Sequence, residues 1–525
     1  MTDPGGNPRR LLPRTWMPFF SRFGRLNPVQ IEAIPKILSG ANVVIAAGTA
    51  SGKTEAVVAP VVELLLAGRW EGIAVVYVVP TKALANDLGR RLLGPLDDLG
   101  IRVVIKHGDR PQFPKTEGRF FLITTPESLD SLLCRRPHML SGIRTVILDE
   151  IHILDGTYRG DQLRCLLRRL GDVTAVLPST HLLSATLANP RATAARYTTS
   201  CEEVNIQSNR ELKHSFCESL EETARLSRAR GWKKLLVFCN LRESVEEVAA
   251  QLAPLWKPYP VVAHHGSLSS ETRAHTEAVM REQRVAACVA TSSLEVGIDI
   301  GNIDAVVLAE PPWSVSALMQ RVGRAGRRGK VAQAAVITSS PEERLLIQAM
   351  FEQVEQGRIS EDSYAPDLSV VVQQIASVLY GNPGGASLDT LSIAAGALCE
   401  TSDLLQILDK MADNGWTEHR ISRWWATTKL MDLGEKGRGR LHSNIPDQNA
   451  YTVFNALGGS RVGAIGEPFD LIFTLARKAW KVESVDHARK RVVAKPYPAS
   501  APPPLFERHR GVGAFHSWLP RELRR

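Results

Sequence analysis

The sequence contains no run of about eighteen consecutive apolar residues, so we expect no transmembrane helix. Its N-terminal residues lack the apolar core of a secretory signal peptide. The seven cysteines lie far apart and form no Cys-x-x-Cys pair, which argues against a disulfide framework, a zinc ribbon or an iron–sulfur cluster. These absences predict a protein of the reducing cytoplasm.

The composition that remains is that of a folded protein with several domains. The chain has 525 residues, of which 44% are hydrophobic and 23% charged, a balance that excludes a disordered or fibrous protein. This length predicts about two to four domains. The excess of 64 Lys and Arg over 55 Asp and Glu is compatible with nucleic-acid binding, but many other enzymes are equally basic.

Short apolar runs alternate with helical stretches over the first 340 residues. Runs of this kind are typical of parallel strands that helices cover on both faces. The predicted strands are 43–45, 74–79, 120–123 and 145–148, and, after a boundary near 200–230, 235–238, 285–290 and 305–308. The pattern therefore predicts two doubly wound α/β lobes rather than one very large sheet.

The character of the sequence changes after about residue 340. Amphipathic helices are predicted over 366–415, short strands over 451–495, and an extended or disordered proline-rich tail over 496–504. We therefore expect four domains: a first lobe, a second lobe, a helical domain, and a small β-rich module with a basic tail. Their predicted bounds are 1–205, 206–345, 346–440 and 441–525.

A phosphate-binding loop is predicted between the first strand and the helix that follows it. Residues 47–54 read AGTASGKT, and small residues there let backbone N–H groups surround a phosphate at a helix N-terminus. Lys53 would neutralise the β- and γ-phosphates of a nucleotide, and the Thr54 hydroxyl would bind Mg²⁺. The other predicted binding residues of this loop are Thr49, Ala50, Ser51 and Gly52.

An acidic pair follows the strand 145–148, where ligands bind in open α/β sheets. Asp149 suits a carboxylate that holds Mg²⁺ through water, and Glu150 suits the group that polarises the water attacking the γ-phosphate. An ordinary acidic turn is the alternative. The presence of a phosphate-binding loop in the same lobe favours a catalytic pair.

The second lobe ends in a basic stretch that includes Arg321, Arg324 and Arg327. A spacing of three places these guanidinium groups along one side of a helix or turn. This pattern is compatible with a solvated basic face or with arginine fingers that stabilise charge on a γ-phosphate.

Trp424 and Trp425 are the best candidates for stacking against unpaired bases, because basic residues flank them. Core packing is the commoner fate of a single tryptophan. If the pair lies on a strand, however, the two side chains point to opposite faces, so both cannot be core.

The motifs together, in this order, resemble those of superfamily 2 helicases. They are 27–30 (NPVQ), 47–54 (AGTASGKT), 80–84 (PTKAL), 125–127 (TPE), 149–152 (DEIH), 184–186 (SAT), 290–299 (ATSSLEVGID) and 320–327 (QRVGRAGR). Residues 155–160 (DGTYRG) and 264–268 (HHGSL) are similar to those of the large helicase-related (Lhr) family. Residues 371–416 resemble the winged-helix domain of that family, and 445–482 its small β-rich module.

The resemblance implies two tandem RecA-like doubly wound parallel sheets, followed by a winged-helix domain and a small β-rich module. It implies ATP and Mg²⁺ as cofactors and an ATP-driven 3′-to-5′ helicase or translocase on single-stranded DNA. Duplex DNA and RNA–DNA hybrids would be unwound. We further expect a nucleoid-associated cytoplasmic location, a role in DNA repair or genome defence, and a protein partner from one of those pathways.

Matching motif positions carry the family's residue roles to this chain. Gln30 would recognise adenine, and Gly297 and Asp299 would contact the ribose. Gln320, Arg324 and Arg327 would contact the γ-phosphate from the second lobe, and Glu150 would activate the water. The residues expected to couple hydrolysis to movement are His152, Ser184 and Thr186. Those expected on strand phosphates are Thr81, Lys82, Thr125 and Thr291.

One position departs from the family pattern: Ala50 stands where the phosphate-binding loop usually has glycine. Alanine costs about 1 kcal/mol if the backbone there needs a positive φ, so we expect a lower nucleotide affinity.

Two other functions compete with a DNA helicase. The same motor fold serves RNA helicases and remodellers. A nucleotide-gated binding subunit of a larger assembly is a non-enzymatic alternative, which Lys53, Glu150, Arg324 and Arg327 argue against.

Overall fold

The computed structural model describes residues 8–48, 51–68, 70–110, 117–185, 187–206, 211–266, 268–294, 300–326, 331–356, 364–436, 440–446, 450–467, 469–475, 478–498, 508–509 and 511–524. The chain divides into two compact units. The first contains Met1–Gln207, Ser363–Asp447 and Val512–Arg525, and the second contains Ser208–Asp362 and Gln448–Gly511.

The first lobe is a parallel sheet with helices on both faces. Its strands are β1 (Val43–Ala47), β2 (Gly72–Val78), β3 (Arg102–Lys106), β4 (Arg119–Thr124), β5 (Thr145–Leu148), β6 (Ser179–Ser184) and β7 (Glu202–Ile206). They lie in the order β3-β4-β2-β5-β6-β1-β7. Its helices are α1 (Pro8–Leu11), α2 (Trp16–Phe20), α3 (Pro28–Leu38), α4 (Lys53–Ala67), α5 (Lys82–Asp97), α6 (Pro126–Arg135), α7 (Ile151–Leu154), α8 (Tyr158–Val173) and α9 (Pro190–Ala195).

The second lobe repeats this design with six strands in the residues described. They are β8 (Glu211–Cys217), β9 (Lys234–Phe238), β10 (Val261–His264), β11 (Ala286–Ala290), β12 (Ala305–Leu308) and β13 (Val331–Ile337), in the order β10-β11-β9-β12-β13-β8. Every pairing in this sheet is parallel. Its helices are α10 (Leu220–Ala229), α11 (Arg242–Trp256), α12 (Ser270–Glu282), α13 (Val315–Val322) and α14 (Pro341–Glu355).

The two predicted parallel sheets are confirmed. The strands β1, β5, β9 and β12 each contain a continuous run of buried apolar residues, which is the property that predicted helices on both faces. Helix α14 continues to Glu355, past the predicted end of the second lobe at residue 345.

A helical module packs on the first lobe within the same unit. It comprises α15 (Ser369–Gly381), β14 (Ala386–Ser387), α16 (Leu388–Ala395), α17 (Thr401–Asp413), β15 (Thr417–Arg420), β16 (Arg423–Ala426) and α18 (Thr428–Lys436). The strands form an antiparallel sheet in the order β14-β16-β15. The order helix–strand–helix–helix–strand–strand is compatible with a winged helix, an assignment that stays a prediction.

The β-rich module belongs to the second unit. Its strands are β17 (Ala450–Asn455), β18 (Arg461–Gly466), β19 (Phe469–Asp470), β20 (Ile472–Leu475), β21 (Lys478–Asp486), β22 (Arg491–Pro496) and β23 (Arg508–His509). Five of them form the order β18-β17-β22-β21-β20, and β19 pairs with β23. Tyr451, Phe469, Phe473 and Trp480 are the large side chains of its core.

The predicted last module, 441–525, is divided between the two units. Residues 512–524 lie against the helical module, where Phe515 and Leu519 join its apolar core. The Gly513 N–H donates to Asp367, and the Ala514 N–H donates to the Asn444 carbonyl. Apolar burial and these backbone hydrogen bonds hold the segment in the first unit. Of the predicted proline-rich tail 496–504, residues 499–504 lie outside the described residues.

A search of the helices in the described ranges finds none with the length and apolarity to cross a membrane.

Candidate functional site

The carboxyl edge of the first sheet brings together most of the predicted site residues of this lobe. β1 leads into the phosphate-binding loop. Its neighbour β6 ends at Ser184, and β5, on the other side of β6, ends directly before Asp149. The adjacent strands β2 and β4 lead to Thr81 and Thr125. The edge therefore has two halves. The ends of β1, β6 and β5 carry the nucleotide motifs, and the ends of β2 and β4 carry the motifs predicted to contact nucleic acid.

Lys53 begins α4, and its side chain lies against its own loop. The ammonium donates to the carbonyls of Ala47 (2.5 Å) and Gly48 (3.1 Å). Ser51 and Gly52 lead into the helix, and Gly52 takes a left-handed conformation with φ of 75°. The helix N-terminus therefore begins with a cation beside it, an arrangement suited to an anionic ligand.

Gln30 connects helix α3 to the phosphate-binding loop. Asn27 and Gln30 form a capping box, in which the Gln30 N–H donates to the Asn27 side chain and the Asn27 N–H donates to the Gln30 side chain. The Gln30 amide also donates to the Gly52 carbonyl at 3.3 Å. The predicted adenine-recognising residue is thus held against the loop that would bind the phosphates.

Asp149 is buried beside the Tyr77 hydroxyl, which donates to Asp149 Oδ2 at 2.9 Å. Burial and then the charge of Glu150 raise the pKa of Asp149, although Lys53 and Tyr77 act in the opposite direction. Burial also raises the pKa of Tyr77, followed by the effect of Asp149, so this phenol stays protonated.

The residues present fit Mg²⁺. The Thr54 hydroxyl and the Asp149 carboxylate are oxygen ligands of the kind that Mg²⁺ prefers, and both side chains lie on the nucleotide half of the carboxyl edge. A cation there would also offset the negative charge that raises the pKa of Asp149.

Glu150 leads into a chain of polar contacts toward β6. Its backbone is left-handed, with φ of 46°, directly before the short helix α7. Its carboxylate lies 3.5 Å from His152 Nδ1, and the same nitrogen lies 2.9 Å from Ser184 Oγ. The structure therefore joins Glu150, His152 and Ser184, two of which were predicted to couple hydrolysis to movement.

The β2–β4 half of the edge carries hydroxyl groups and one lysine. Thr81 caps α5 by accepting from the Leu84 N–H, and Lys82 pairs with Asp109 at 2.7 Å. Thr125 is buried directly before α6.

Glu127 is held in its charged form by Arg159 of the 155–160 motif. The two side chains lie 2.7 Å apart and are both largely buried. Burial alone would raise the pKa of Glu127, but Arg159 and local hydrogen bonds hold it below its ordinary value. The pair fixes the start of α8 to the start of α6.

The second lobe places its predicted residues on β11 and α13. Thr291 follows β11, and its N–H donates to the His264 carbonyl. Gln320 is half-buried on α13, which ends at Val322, so Arg324 lies in the turn that follows. Of the arginines predicted along one side of a helix or turn, Arg321 thus lies on the helix and Arg324 in the turn. Arg321 lies over the Phe238 ring and donates to Asn240.

The β-rich module caps the helix that carries Gln320. Asp470 accepts from the Val315 N–H at 2.9 Å, and its own N–H donates to the Trp313 carbonyl. These bonds join β19 to the beginning of α13. Local sequence gave no sign of this contact, because the two segments are 155 positions apart.

The two predicted stacking residues differ in exposure. On β16, Trp424 is only 5% exposed and lies in the core of the helical module, stacked on His419. It is therefore not accessible to a base in this structure. Trp425 faces the opposite side, as expected for a strand, and is half-buried against Gly385.

Six predicted site residues lie outside the described residues: Thr49, Ala50, Thr186, Gly297, Asp299 and Arg327. Tyr77 was missed by the sequence analysis. Its signal was a single phenol in an otherwise aliphatic buried strand, since a buried tyrosine usually needs a hydrogen-bond partner.

Family models agree with this arrangement. Residues 27–193 match the DEAD/DEAH box helicase model, and residues 217–329 match the helicase conserved C-terminal domain. Together, the two ranges take in a little over half of the chain.

Individual relatives extend the likeness beyond the two lobes. The chain is 28% identical to the Lhr helicase/probable uracil glycosylase of Mycolicibacterium smegmatis over 96% of its length and 40% of that protein. It is 29% identical to the ATP-dependent helicase Lhr-Core of Methanothermobacter thermautotrophicus over 86% of its length and 59% of that protein. The chain thus spans about two fifths to three fifths of these relatives.

A solved structure of Mycobacterium smegmatis helicase Lhr bound to single-stranded DNA and AMP-PNP aligns with a TM-score of 0.71 and 27% identity. The alignment covers 85% of this chain and 63% of that one. With both helicase models matched in order and Lhr proteins similar over most of its length, the chain belongs to the Lhr-like ATP-dependent helicases of superfamily 2.

Proposed function

We propose that this chain hydrolyses ATP to move 3′ to 5′ along single-stranded DNA and to unwind DNA or RNA–DNA duplexes. The observation that carries the proposal is the carboxyl edge of the first sheet, where Lys53, Asp149 and Glu150 lie in one half and Thr81 and Thr125 in the other. The similarity to an Lhr helicase bound to single-stranded DNA and AMP-PNP supports DNA as the polymer.

Hydrolysis would begin with the phosphates at the N-terminus of α4. Lys53 would leave the carbonyls of Ala47 and Gly48 for the phosphate oxygens, which are stronger acceptors for an ammonium. Mg²⁺, when bound, neutralises phosphate charge. Glu150 would orient the attacking water and accept its proton.

Coupling would follow from the polar chain beyond Glu150. A proton or a water at the Glu150 carboxylate changes the charge that His152 Nδ1 faces 3.5 Å away. His152 would pass that change to Ser184, which ends β6 beside the phosphate-binding loop. Gln320, Arg324 and Arg327 stay predicted contacts of the γ-phosphate.

Binding to single-stranded nucleic acid would be independent of base sequence. Hydroxyl groups such as those of Thr81, Thr125 and Thr291, and the Lys82 ammonium, bind phosphates without reading base edges. We therefore expect low sequence specificity and binding that weakens steeply with salt. Trp425 is the remaining candidate of the tryptophan pair for base stacking.

A strand-displacement assay tests the polarity and the substrate. Duplexes with a 3′ or a 5′ single-stranded tail, made as DNA or as RNA–DNA hybrids, are incubated with the chain and ATP. We expect displacement from the 3′-tailed duplexes only. Displacement only from a 5′ tail would contradict the proposed direction, and no displacement from any of them would contradict unwinding.

ATPase stimulation separates DNA from RNA. Single-stranded DNA and RNA of one base sequence are compared at equal nucleotide concentration. Greater stimulation by DNA is expected, whereas greater stimulation by RNA would assign the chain to RNA remodelling. The role in DNA repair or genome defence, the protein partner and the nucleoid location stay predictions.

A further inference from the structure

His264 is the last residue of β10, at one edge of the second sheet. It lies opposite Ala290, the last residue of the neighbouring parallel strand β11. Only 2% of the His264 side chain is exposed. Thr291, a predicted contact of strand phosphates, directly follows β11. The histidine is therefore buried beside the loop that carries this hydroxyl.

Hydrogen bonds join His264 to that loop. The Thr291 N–H and the Ser293 hydroxyl both donate to the His264 carbonyl, each at 3.2 Å. Ser293 Oγ also lies 2.9 Å from His264 Nδ1. The Thr291 hydroxyl in turn donates to Ser293 Oγ at 3.3 Å. Ser293 therefore connects the imidazole ring to the Thr291 hydroxyl.

Helix α12 holds the imidazole from its other side. His264 Nε2 lies 3.7 Å from Glu277 Oε1, and only 13% of the Glu277 side chain is exposed. The neighbouring Thr276 hydroxyl donates to the Ala263 carbonyl at 3.0 Å, which fixes this turn of α12 to β10. Contacts within the lobe thus set the ring orientation that points Nδ1 at Ser293.

The number of available protons fixes the direction of these bonds. The single Ser293 hydroxyl proton goes to the His264 carbonyl, so the 2.9 Å contact with Nδ1 requires a proton on that nitrogen. A phosphate oxygen can only accept, so a bound strand must take the Thr291 proton. The Ser293 oxygen then keeps its donor from His264, and the Ser293 proton can turn to the Thr291 oxygen. Each hydroxyl would then donate toward the phosphate and polarise the next bond.

We propose that His264 is a positioning residue for nucleic-acid binding: it holds Ser293, and through Ser293 it orients the Thr291 hydroxyl toward a strand phosphate. The inference rests on the proposed function, since it assumes that Thr291 contacts the strand. Because its ring is buried, His264 itself would not touch the nucleic acid.

The test compares two amides in place of the imidazole. Binding of a fluorescein-labelled oligothymidylate is measured by anisotropy in the presence of AMP-PNP. In His264→Asn, the amide nitrogen lies near the Nδ1 position and can still donate to Ser293. In His264→Gln, the amide reaches the Nε2 position instead, and Ser293 loses its donor. We expect an affinity within about twofold of the wild type for asparagine and a loss of about three- to tenfold for glutamine.

A purely structural role of the ring would not separate the two amides, since both remove it. Equal losses of affinity, or a larger loss for His264→Asn, would overturn the inference. Ser293→Ala is a smaller change at a half-buried position and removes the same connection. It should lose as much affinity as His264→Gln, and unchanged binding by Ser293→Ala would also overturn the inference.

Thr291→Val shows whether His264 acts through the Thr291 hydroxyl. Valine keeps the shape of threonine without the hydroxyl. Adding His264→Gln to Thr291→Val should cause a further loss of less than about twofold, because the hydroxyl that His264 orients is already absent. If His264→Gln caused the same fold-loss in both backgrounds, His264 would act by another route and the inference would fail.

His214→Gln is the matched control. His214 lies on β8, at the opposite edge of the same sheet, where it stacks on Phe351 and contacts Gln348. The variant removes an imidazole of the same lobe and should leave the affinity for the oligonucleotide unchanged. A loss equal to that of His264→Gln would contradict a specific effect on the Thr291 loop.

Thr291→Val alone distinguishes this inference from the proposed function. If it binds the oligonucleotide as well as the wild type does, the phosphate contact proposed for Thr291 fails, and the role of His264 fails with it. If Thr291→Val binds more weakly and His264→Gln does not, only the role of His264 fails.

Discussion

Glu150 combines an unusual backbone with a buried carboxylate. Its φ of 46° is uncommon for a residue with a side chain and costs on the order of 1 kcal/mol. The turn that requires this conformation sends the chain from β5 straight into α7. The two carboxylates can then contact different side chains: Asp149 accepts from Tyr77, and Glu150 lies near His152.

Glu150→Gln should stop turnover and leave nucleotide binding in place. Glutamine has the same shape but is not a base, so the attacking water loses its proton acceptor. We expect ATP hydrolysis stimulated by single-stranded DNA to fall by about a hundredfold or more. Binding of AMP-PNP should stay within about threefold, as measured by fluorescence titration.

Glu127→Gln provides the comparison for that substitution. Glu127 is also a buried glutamate of the first lobe, but it pairs with Arg159 and is not placed on the nucleotide half of the edge. Glu127→Gln should lower the free energy of unfolding. ATP hydrolysis per folded molecule should fall much less than in Glu150→Gln. Persistent turnover in Glu150→Gln would mean that another group activates the water.

At the scale of elements, helix α4 depends on the glycine at its N-terminus. Gly52 has φ of 75°, and a Cβ there would lie 2.5 Å from the side-chain nitrogens of both Asn27 and Gln30. These amides can move, but only by breaking the capping box and the Gln30 bond to the Gly52 carbonyl. The glycine thus keeps α3 and the phosphate-binding loop in contact.

Gly52→Ala should therefore weaken nucleotide binding. We expect a loss of about tenfold in affinity, the equivalent of one lost hydrogen bond and some backbone strain, measured with a fluorescent AMP-PNP analogue. Gly40→Ala is the control, since Gly40 has φ of 88° and open space around it. That variant should cost about 1 kcal/mol of stability and leave the affinity unchanged.

If Gly52→Ala and Gly40→Ala bound the nucleotide equally well, the contact between Gln30 and the phosphate-binding loop would have no part in nucleotide binding.

The elements that sequence predicted well are those with a local signal. β1, β5, β9 and β12 each contain a continuous apolar run, so their burial and parallel pairing followed from composition and spacing. The phosphate-binding loop and the acidic pair followed from their places after strands. The end of α13 did not, because the spacing of the arginines is compatible with a helix or with a turn.

Contacts between distant segments had no local signal. Asp470 caps α13, and Phe515 enters the core of the helical module; both are ordinary residues in their own surroundings. Trp424 and Trp425 show how far local sequence can predict burial. Alternation on a strand predicted opposite faces, but only the packed structure showed that Trp424 is the buried one.

At the scale of the whole molecule, a buried charged cluster fixes the helical module to the first lobe. Asp130 of α6 pairs with Arg169 of α8 at 2.5 Å, and neither is accessible beyond 9% of its side chain. Gln373, Ser377 and His442 from the helical module also contact Asp130. Burial opposes ionisation of Asp130, but Arg169 and His442 hold its pKa below the ordinary value.

Arg169→Met should destabilise the first unit strongly. Methionine fills similar volume but leaves Asp130 as a buried charge without its cation. We expect a loss of about 3–5 kcal/mol in the free energy of unfolding, measured by urea denaturation.

The control for this change is an exposed ion pair. Arg191 pairs with Glu203 at 3.2 Å, and 80% of the arginine side chain is exposed. Arg191→Met should change the free energy of unfolding by less than about 1 kcal/mol. Equal effects of the two substitutions would mean that the helical module does not depend on the buried cluster.

The division of the first unit into three separate stretches also has a consequence for how the protein is made. Met1–Gln207 emerges from the ribosome long before Ser363–Asp447, and Val512–Arg525 emerges later than both. Asp130 is therefore synthesised before its partners Gln373 and His442. Helix α15 is likewise synthesised before Phe515 and Leu519, which pack in the same apolar core. During synthesis, the first lobe must carry a partly uncovered polar and apolar surface that chaperones can recognise. No single cut in the chain yields the two units as separate fragments.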